Sequence, residues 1–133
     1  MTAGRAALVA TIAAAAAAAG GLGGGGGAAG AKTRTTSVGI GEREFRISVY
    51  RKHVLPGKVR FNVTNHGEDA HNLRVIGPGS GGPQRATSPE IKANAQDTLT
   101  VTLRTRGIYK LVCTLADHES RGMVSFVRVV KKL

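Results

Sequence analysis

From Lys32 onward the sequence predicts an all-β domain, a Greek-key β-sandwich of about seven short strands. Three observations carry that expectation. Apolar residues recur at every second position in Phe45, Ile47 and Val49, in Val59, Phe61 and Val63, and in Leu99, Val101 and Leu103, which places each set on one face of a pleated strand. The runs are rich in Val, Ile, Phe and Thr and show no helical period,. Turn formers at Pro56-Gly57, Asn65 to Gly67 and Arg106-Gly107 separate them,. Short strands with one apolar face bury that face most simply as two packed antiparallel sheets.

Taken in chain order, strands are expected at Thr35 to Ile40, Phe45 to Val49, Val59 to Val63, His71 to Ile76, Leu99 to Leu103, Ile108 to Val112 and Val124 to Val130. Gly77 to Pro83 is too rich in Gly and Pro for regular structure and reads as a surface loop,. Residues 1–31 differ in kind: Arg5, an alanine-dominated run from Ala6 to Ala19, then a glycine-rich stretch closing on Ala29-Gly30-Ala31. A positive start, a mildly apolar middle and small residues at the end follow the grammar of an export signal, disordered or cleaved in the mature protein. Left uncleaved, it would anchor the chain through a glycine tether, although the run is shorter than the roughly 20 apolar residues of a stable span. The expected organisation is an export segment over residues 1–31 and one domain over 32–133, in a protein that is periplasmic, on the cell surface or secreted.

The chain has 133 residues and a formal charge of +11. Of its 19 basic residues only Arg5 precedes Lys32, and all eight acidic residues follow it, so the basicity belongs to the domain. A basic surface favours acidic partners, whether a protein or an anionic membrane. Nucleic acid is disfavoured, because the basic residues are scattered and aromatics for base stacking are few,. The single cysteine, Cys113, has no intrachain partner; in an exported protein it must be buried, joined to another chain, or held by a metal.

The segment Cys113-Thr-Leu-Ala-Asp-His118-Glu-Ser-Arg-Gly-Met123 decides among these. It joins two expected strands and carries a thiol, an imidazole and a thioether. Together they suit copper, since sulfur prefers Cu(I) and nitrogen serves both oxidation states. A fourth ligand must come from elsewhere, and His71 is well placed after the Asn65 to Asp69 turn. Cys113 alone would be a small buried hydrophobe and Met123 alone core filling; their occurrence with His118 in one loop reverses that reading. His53 is expected on a solvated turn. His66, within the Asn65-His66-Gly67 turn, is the competitor to His71 and is expected to face solvent.

Here the sequence resembles the cupredoxins, the blue copper proteins that include plastocyanin and azurin, over about Val38 to Val130. Leu55-Pro-Gly-Lys-Val-Arg-Phe-Asn-Val-Thr-Asn-His-Gly is similar to the family's strand and turn before its first histidine, and His71-Asn72-Leu73 to the segment that carries it. Gly107-Ile-Tyr-Lys-Leu-Val-Cys113 resembles the strand that delivers the cysteine, and His118 with Gly122-Met123 the closing ligands. The resemblance implies one type 1 copper ion, with His71, Cys113 and His118 in a trigonal plane and Met123 as the long axial ligand. It implies that Asn72 links the two ligand loops. Ala116-Asp117 departs from the Pro-Gly that some relatives carry before this histidine, and Asp117 would then act on the basicity of His118.

The expected function is single-electron transfer between redox partners, one of them acidic, by a monomer whose electrons leave through His118, ringed by Leu115 and Ala116. Copper carriage or buffering without electron traffic is the alternative. An enzyme is not expected, because four protein ligands leave no open position for substrate. Tyr109 is expected to pack in its strand, and Glu119, Arg121 and Arg74 to be solvated charges near the copper end.

Overall fold

The computed structural model describes residues 34–79 and 85–133. The expected export segment over residues 1–31 lies outside the described residues, as do residues 80–83 of the expected surface loop. The strands are β1 (Thr36–Arg43), β2 (Arg46–Val49), β3 (His53–Val54), β4 (Gly57–Asn65), β5 (Arg74–Ile76), β6 (Arg85–Thr87), β7 (Gln96–Leu103), β8 (Gly107–Val112) and β9 (Val124–Val129). They form a four-stranded sheet in the order β2-β1-β4-β7 and a five-stranded sheet in the order β3-β9-β8-β5-β6. The all-β sandwich expected from the alternation is the observed architecture. Each apolar stripe faces inward: Val38 and Ile40 from β1, Val59, Phe61 and Val63 from β4, Val101 and Leu103 from β7, Tyr109 and Leu111 from β8, and Val127 and Val129 from β9 are buried in one core. Sealing a side chain such as Phe61 from water is worth about 1.5–3 kcal/mol.

The structure corrects the expected layout in four places. There are nine strands among the described residues rather than about seven, because β3 and β6, of two and three residues, are too short to show any period. The sheets are not purely antiparallel: β1 runs parallel to β4 and β3 parallel to β9. His53 lies in β3, paired with Arg128, rather than in a turn, although its side chain is exposed as expected. His71 stands before its strand, in an isolated bridge to Ile91, because the turn beginning at Asn65 delays regular pairing until Arg74. Tyr109 packs as expected, fully buried, and its hydroxyl escapes an unpaired burial by donating to the Thr105 carbonyl at 2.9 Å.

β1 also continues past Ile40, through Gly41 and Glu42 to Arg43. Alternation along it points Val38, Ile40 and Glu42 to the same side, so Glu42 enters the interior. It is 0% exposed, and neither carboxylate oxygen has a hydrogen-bond partner. An unpaired buried carboxylate is costly, and burial pushes the Glu42 pKa from 4.5 up to about 8. Between those values the folded chain holds a proton that the unfolded chain has released, so stability falls as pH rises through that window. The metal-free protein should lose about 2–5 kcal/mol between pH 5 and pH 9 from this group. Glu42→Met should flatten the decline in urea unfolding at both pH values; parallel pH dependences for the parent and the variant would show that Glu42 carries no such load.

Candidate metal centre

Two segments meet at one end of the sandwich. β8 runs directly into Cys113, and the loop after it folds back so tightly that Cys113 N–H donates to the Met123 carbonyl at 3.2 Å and Met123 N–H to the His118 carbonyl at 3.0 Å. Further bonds within the loop, from His118 N–H to the Leu115 carbonyl at 3.1 Å and from Gly122 N–H to the Glu119 carbonyl at 3.0 Å, make it a succession of turns. Two of its residues take left-handed backbone angles, Ala116 with φ 44° and Gly122 with φ 99°; the latter is a conformation that glycine adopts without steric cost. Gly122 thereby lets the chain reverse immediately before Met123.

The second segment is organised by the Asn65 side chain. Its amide donates to the Asp69 and Ile91 carbonyls at 2.7 and 2.9 Å, and its oxygen accepts from Gly67 N–H at 2.8 Å. His71 is then locked by paired backbone bonds with Ile91, at 3.0 and 2.7 Å. Asn72 ties the two segments together: its side chain donates to Thr114 Oγ1 at 2.8 Å and accepts from Thr114 N–H at 2.7 Å.

The result is a cluster of His71, Cys113 and His118 whose donor atoms all lie within 4.8 Å of one another. Cys113 Sγ is 4.0 Å from His71 Nδ1 and 3.5 Å from His118 Nδ1, and the two Nδ1 atoms are 3.2 Å apart. His71, Cys113 and Met123 are completely buried, while His118 retains 6% exposure. Burial pushes the Cys113 thiol upward and the His71 imidazole downward from their ordinary pKa values, so both are held neutral in the metal-free protein,.

Both rings present Nδ1 to the cluster and Nε2 to a carboxylate. His71 Nε2 lies 3.3 Å from Glu44 Oε1, and His118 Nε2 lies 3.9 Å from Asp69 Oδ2. A carboxylate only accepts, so the proton of neutral His71 sits on Nε2 and the Nδ1 lone pair is free to ligate. A soft sulfur and two imidazole nitrogens, buried and aimed at one point, suit a single copper ion of the type 1 class. Met123, in the same core cluster as Cys113 and bonded through its backbone to both Cys113 and His118, is the further sulfur of that loop.

The expected competitors are elsewhere: His53 and His66 are exposed and outside the cluster. Asp117 turns to Arg121, with Nε 2.6 Å from its Oδ2, and Glu119 pairs with Lys110 at 2.6 Å; the carboxylate facing His118 is that of Asp69. Leu115 packs against the core as part of the site's apolar surround. The β1–β2 turn is a contributor that sequence reasoning missed. Glu44 reaches His71, and the Phe45 ring stands edge-on to His118 with centroids 5.3 Å apart and planes at 65°. Arg121 covers the Phe45 ring at 4.8 Å. The available signal was the alternation of Phe45, Ile47 and Val49, which placed Phe45 on the core side of its strand.

Asn72→Ala removes two hydrogen bonds and leaves the Thr114 N–H without its partner, so it should lower stability by about 1–3 kcal/mol in denaturant unfolding. Asn72→Asp, which keeps the acceptor for the Thr114 N–H, should recover part of that loss. No change in either variant would mean that the two segments are held together by packing alone.

No family model and no curated protein matches the chain. Among solved structures it is similar to dithionite-reduced auracyanin from the photosynthetic bacterium Roseiflexus castenholzii, with 18% identity and a TM-score of 0.60 over 71% of this chain and 97% of that one. It is also similar to auracyanin B, with 14% identity and a TM-score of 0.60 over 74% and 90% of the two chains. Auracyanin A, a blue copper protein from Chloroflexus aurantiacus, gives 17% identity and a TM-score of 0.59 over 73% of this chain and 100% of that one. The strand arrangement is therefore that of the cupredoxin fold.

Proposed function

We propose that this protein is an electron carrier that binds one type 1 copper ion through His71 Nδ1, Cys113 Sγ, His118 Nδ1 and Met123. The observation that carries this reading is the buried His-Cys-His cluster, a donor set that matches copper in both of its oxidation states,. The likeness in fold to auracyanins, one of them described as a blue copper protein, supports it.

Bound copper would supply a one-electron couple between Cu(I) and Cu(II). The chain's own residues do the rest. Cys113 gives up its proton on binding metal, which overcomes the upward shift imposed by burial. The Ile91 bridge to His71 and the closed turns of the 113–123 loop hold the donors where they are, so the surroundings change little when charge changes. His118, the one donor with any exposure, is the route to a partner. The four donors leave no open position, which fits a carrier rather than an enzyme.

The export segment read over residues 1–31 fits work outside the cytoplasm. No helix among the described residues is long and apolar enough to cross a membrane. The basic surface fits an acidic redox partner, or contact with an anionic membrane, by a protein that acts as a monomer. Copper carriage or buffering is the rival reading, and an exchange-labile site would favour it.

The full chain loaded with Cu(II) should show an intense blue thiolate band and a reversible one-electron couple, both lost in Cys113→Ser. A colourless protein would refute the ligand assignment. A coloured protein that surrenders copper rapidly to a chelator and shows no reversible couple would support buffering instead. Met123→Leu should keep the band and shift the potential, because it replaces a thioether that would donate to the copper with an alkyl group; an unchanged potential would remove Met123 from the ligand set.

A further inference from the structure

We propose that Glu44 is a positioning and tuning residue that fixes the His71 ring and biases the copper centre toward Cu(II). The inference rests on the copper reading above. Glu44 lies in the turn between β1 and β2, and its Oε1 accepts hydrogen bonds from Glu68 N–H at 2.7 Å and Asp69 N–H at 2.8 Å. The same oxygen is 3.3 Å from His71 Nε2. Gly67 completes the seat, because a Cβ there would collide with the carboxylate.

These amides determine the charge of the group. Two backbone N–H groups donating to one oxygen favour the ionised carboxylate, which only accepts, over the protonated acid,. The side chain is 32% exposed, whereas His71 is 0% exposed. The interaction thus places a fixed negative charge on the outer nitrogen of a buried imidazole.

The consequence for a metal on Nδ1 is directional. A carboxylate that accepts from the far N–H draws the proton toward itself and makes the near nitrogen a stronger donor. A stronger nitrogen donor stabilises the doubly charged ion more than the singly charged one, as does the negative charge itself. Glu44 therefore raises the affinity for Cu(II) relative to Cu(I), and the reduction potential is lower than the four donors alone would set.

Glu119 supplies the comparison within the same chain. It is also a carboxylate near this end of the sandwich, but it is paired with Lys110 and contacts neither imidazole. Charge removal there alters the general field without touching His71.

The test is a set of single variants of the full chain, Glu44→Gln, Gly67→Ala and Glu119→Gln, each titrated with Cu(II) and Cu(I) and examined by visible and electron paramagnetic resonance spectroscopy and voltammetry. Glu44→Gln should lower the ratio of Cu(II) to Cu(I) binding constants about tenfold, within the range that outer hydrogen-bond partners of metal ligands command. For a one-electron couple that is a rise of about 59 mV in potential. Gly67→Ala keeps the charge but displaces it, and should shift the ratio in the same direction by less; Glu119→Gln should leave it within about twofold.

An unchanged ratio in Glu44→Gln, with the blue band intact, would overturn the proposal while leaving the copper reading in place. Equal shifts in Glu44→Gln and Glu119→Gln would overturn it as well, since the effect would then be general charge. Absence of the thiolate band in the parent would overturn both. Loss of thermal stability in Glu44→Gln without any change in potential or spectrum would reduce Glu44 to a structural role.

Discussion

Two hydrogen bonds between Asn72 and Thr114 join the segment that carries His71 to the segment that carries Cys113, and the site exists because they do. Each ligand segment is internally stiff, one through the Asn65 side chain and the other through its own closed turns. Stiffness within each segment does not fix the distance between them. The Asn72 amide does so with one donor and one acceptor, a reciprocal pair that neither a rotated side chain nor a shifted strand can satisfy. The rest of the sandwich serves that joint: the β5–β8 pairing of Arg74 with Val112 brings the two segments side by side, in the register that places Asn72 opposite Thr114.

The interior is otherwise apolar, so every polar group admitted to it has a specific partner or a specific cost. Asn65 and Tyr109 are satisfied by backbone groups. His71 is satisfied on one side by Glu44 and turns its other nitrogen to the cluster. Glu42 is the exception, a carboxyl with no partner, and its burial holds it protonated well above the usual carboxylate range. Its strand partner is Asn65, so this costly group lies beside the segment that leads to His71.

Much of this was legible in the residues. Strict alternation in Phe45 to Val49, Val59 to Val63 and Leu99 to Leu103 exposed three of the four strands of one sheet, β2, β4 and β7, and the spacing of Cys113 and His118 exposed the loop that brings both into the cluster. What stayed hidden has physical reasons. β3 and β6 are too short for a period. Parallel pairing of β1 with β4 leaves no trace in alternation, which reports the face a residue takes but not the direction of its neighbour. Glu44 is separated from His71 by 27 positions, and a charged residue in a turn reads as solvated unless the turn across from it is known. Glu42 was hidden because the expected strand stopped at Ile40, whereas β1 continues to Arg43 and carries the carboxyl inward.

The separation of the donors along the chain has a consequence for how the protein matures. His71 and Cys113 are 42 positions apart, and His118 and Met123 lie just before the last strand. The centre is therefore absent from any partly synthesised or partly paired chain, because its thiol and its first imidazole meet only after β5 has found β8. Non-local pairing of this kind is among the slow steps in forming a sheet. Metal uptake thus acts as an inspection of the finished molecule: a chain with misregistered strands has single donors to offer but no chelate, and only the native pairing earns a tightly held ion.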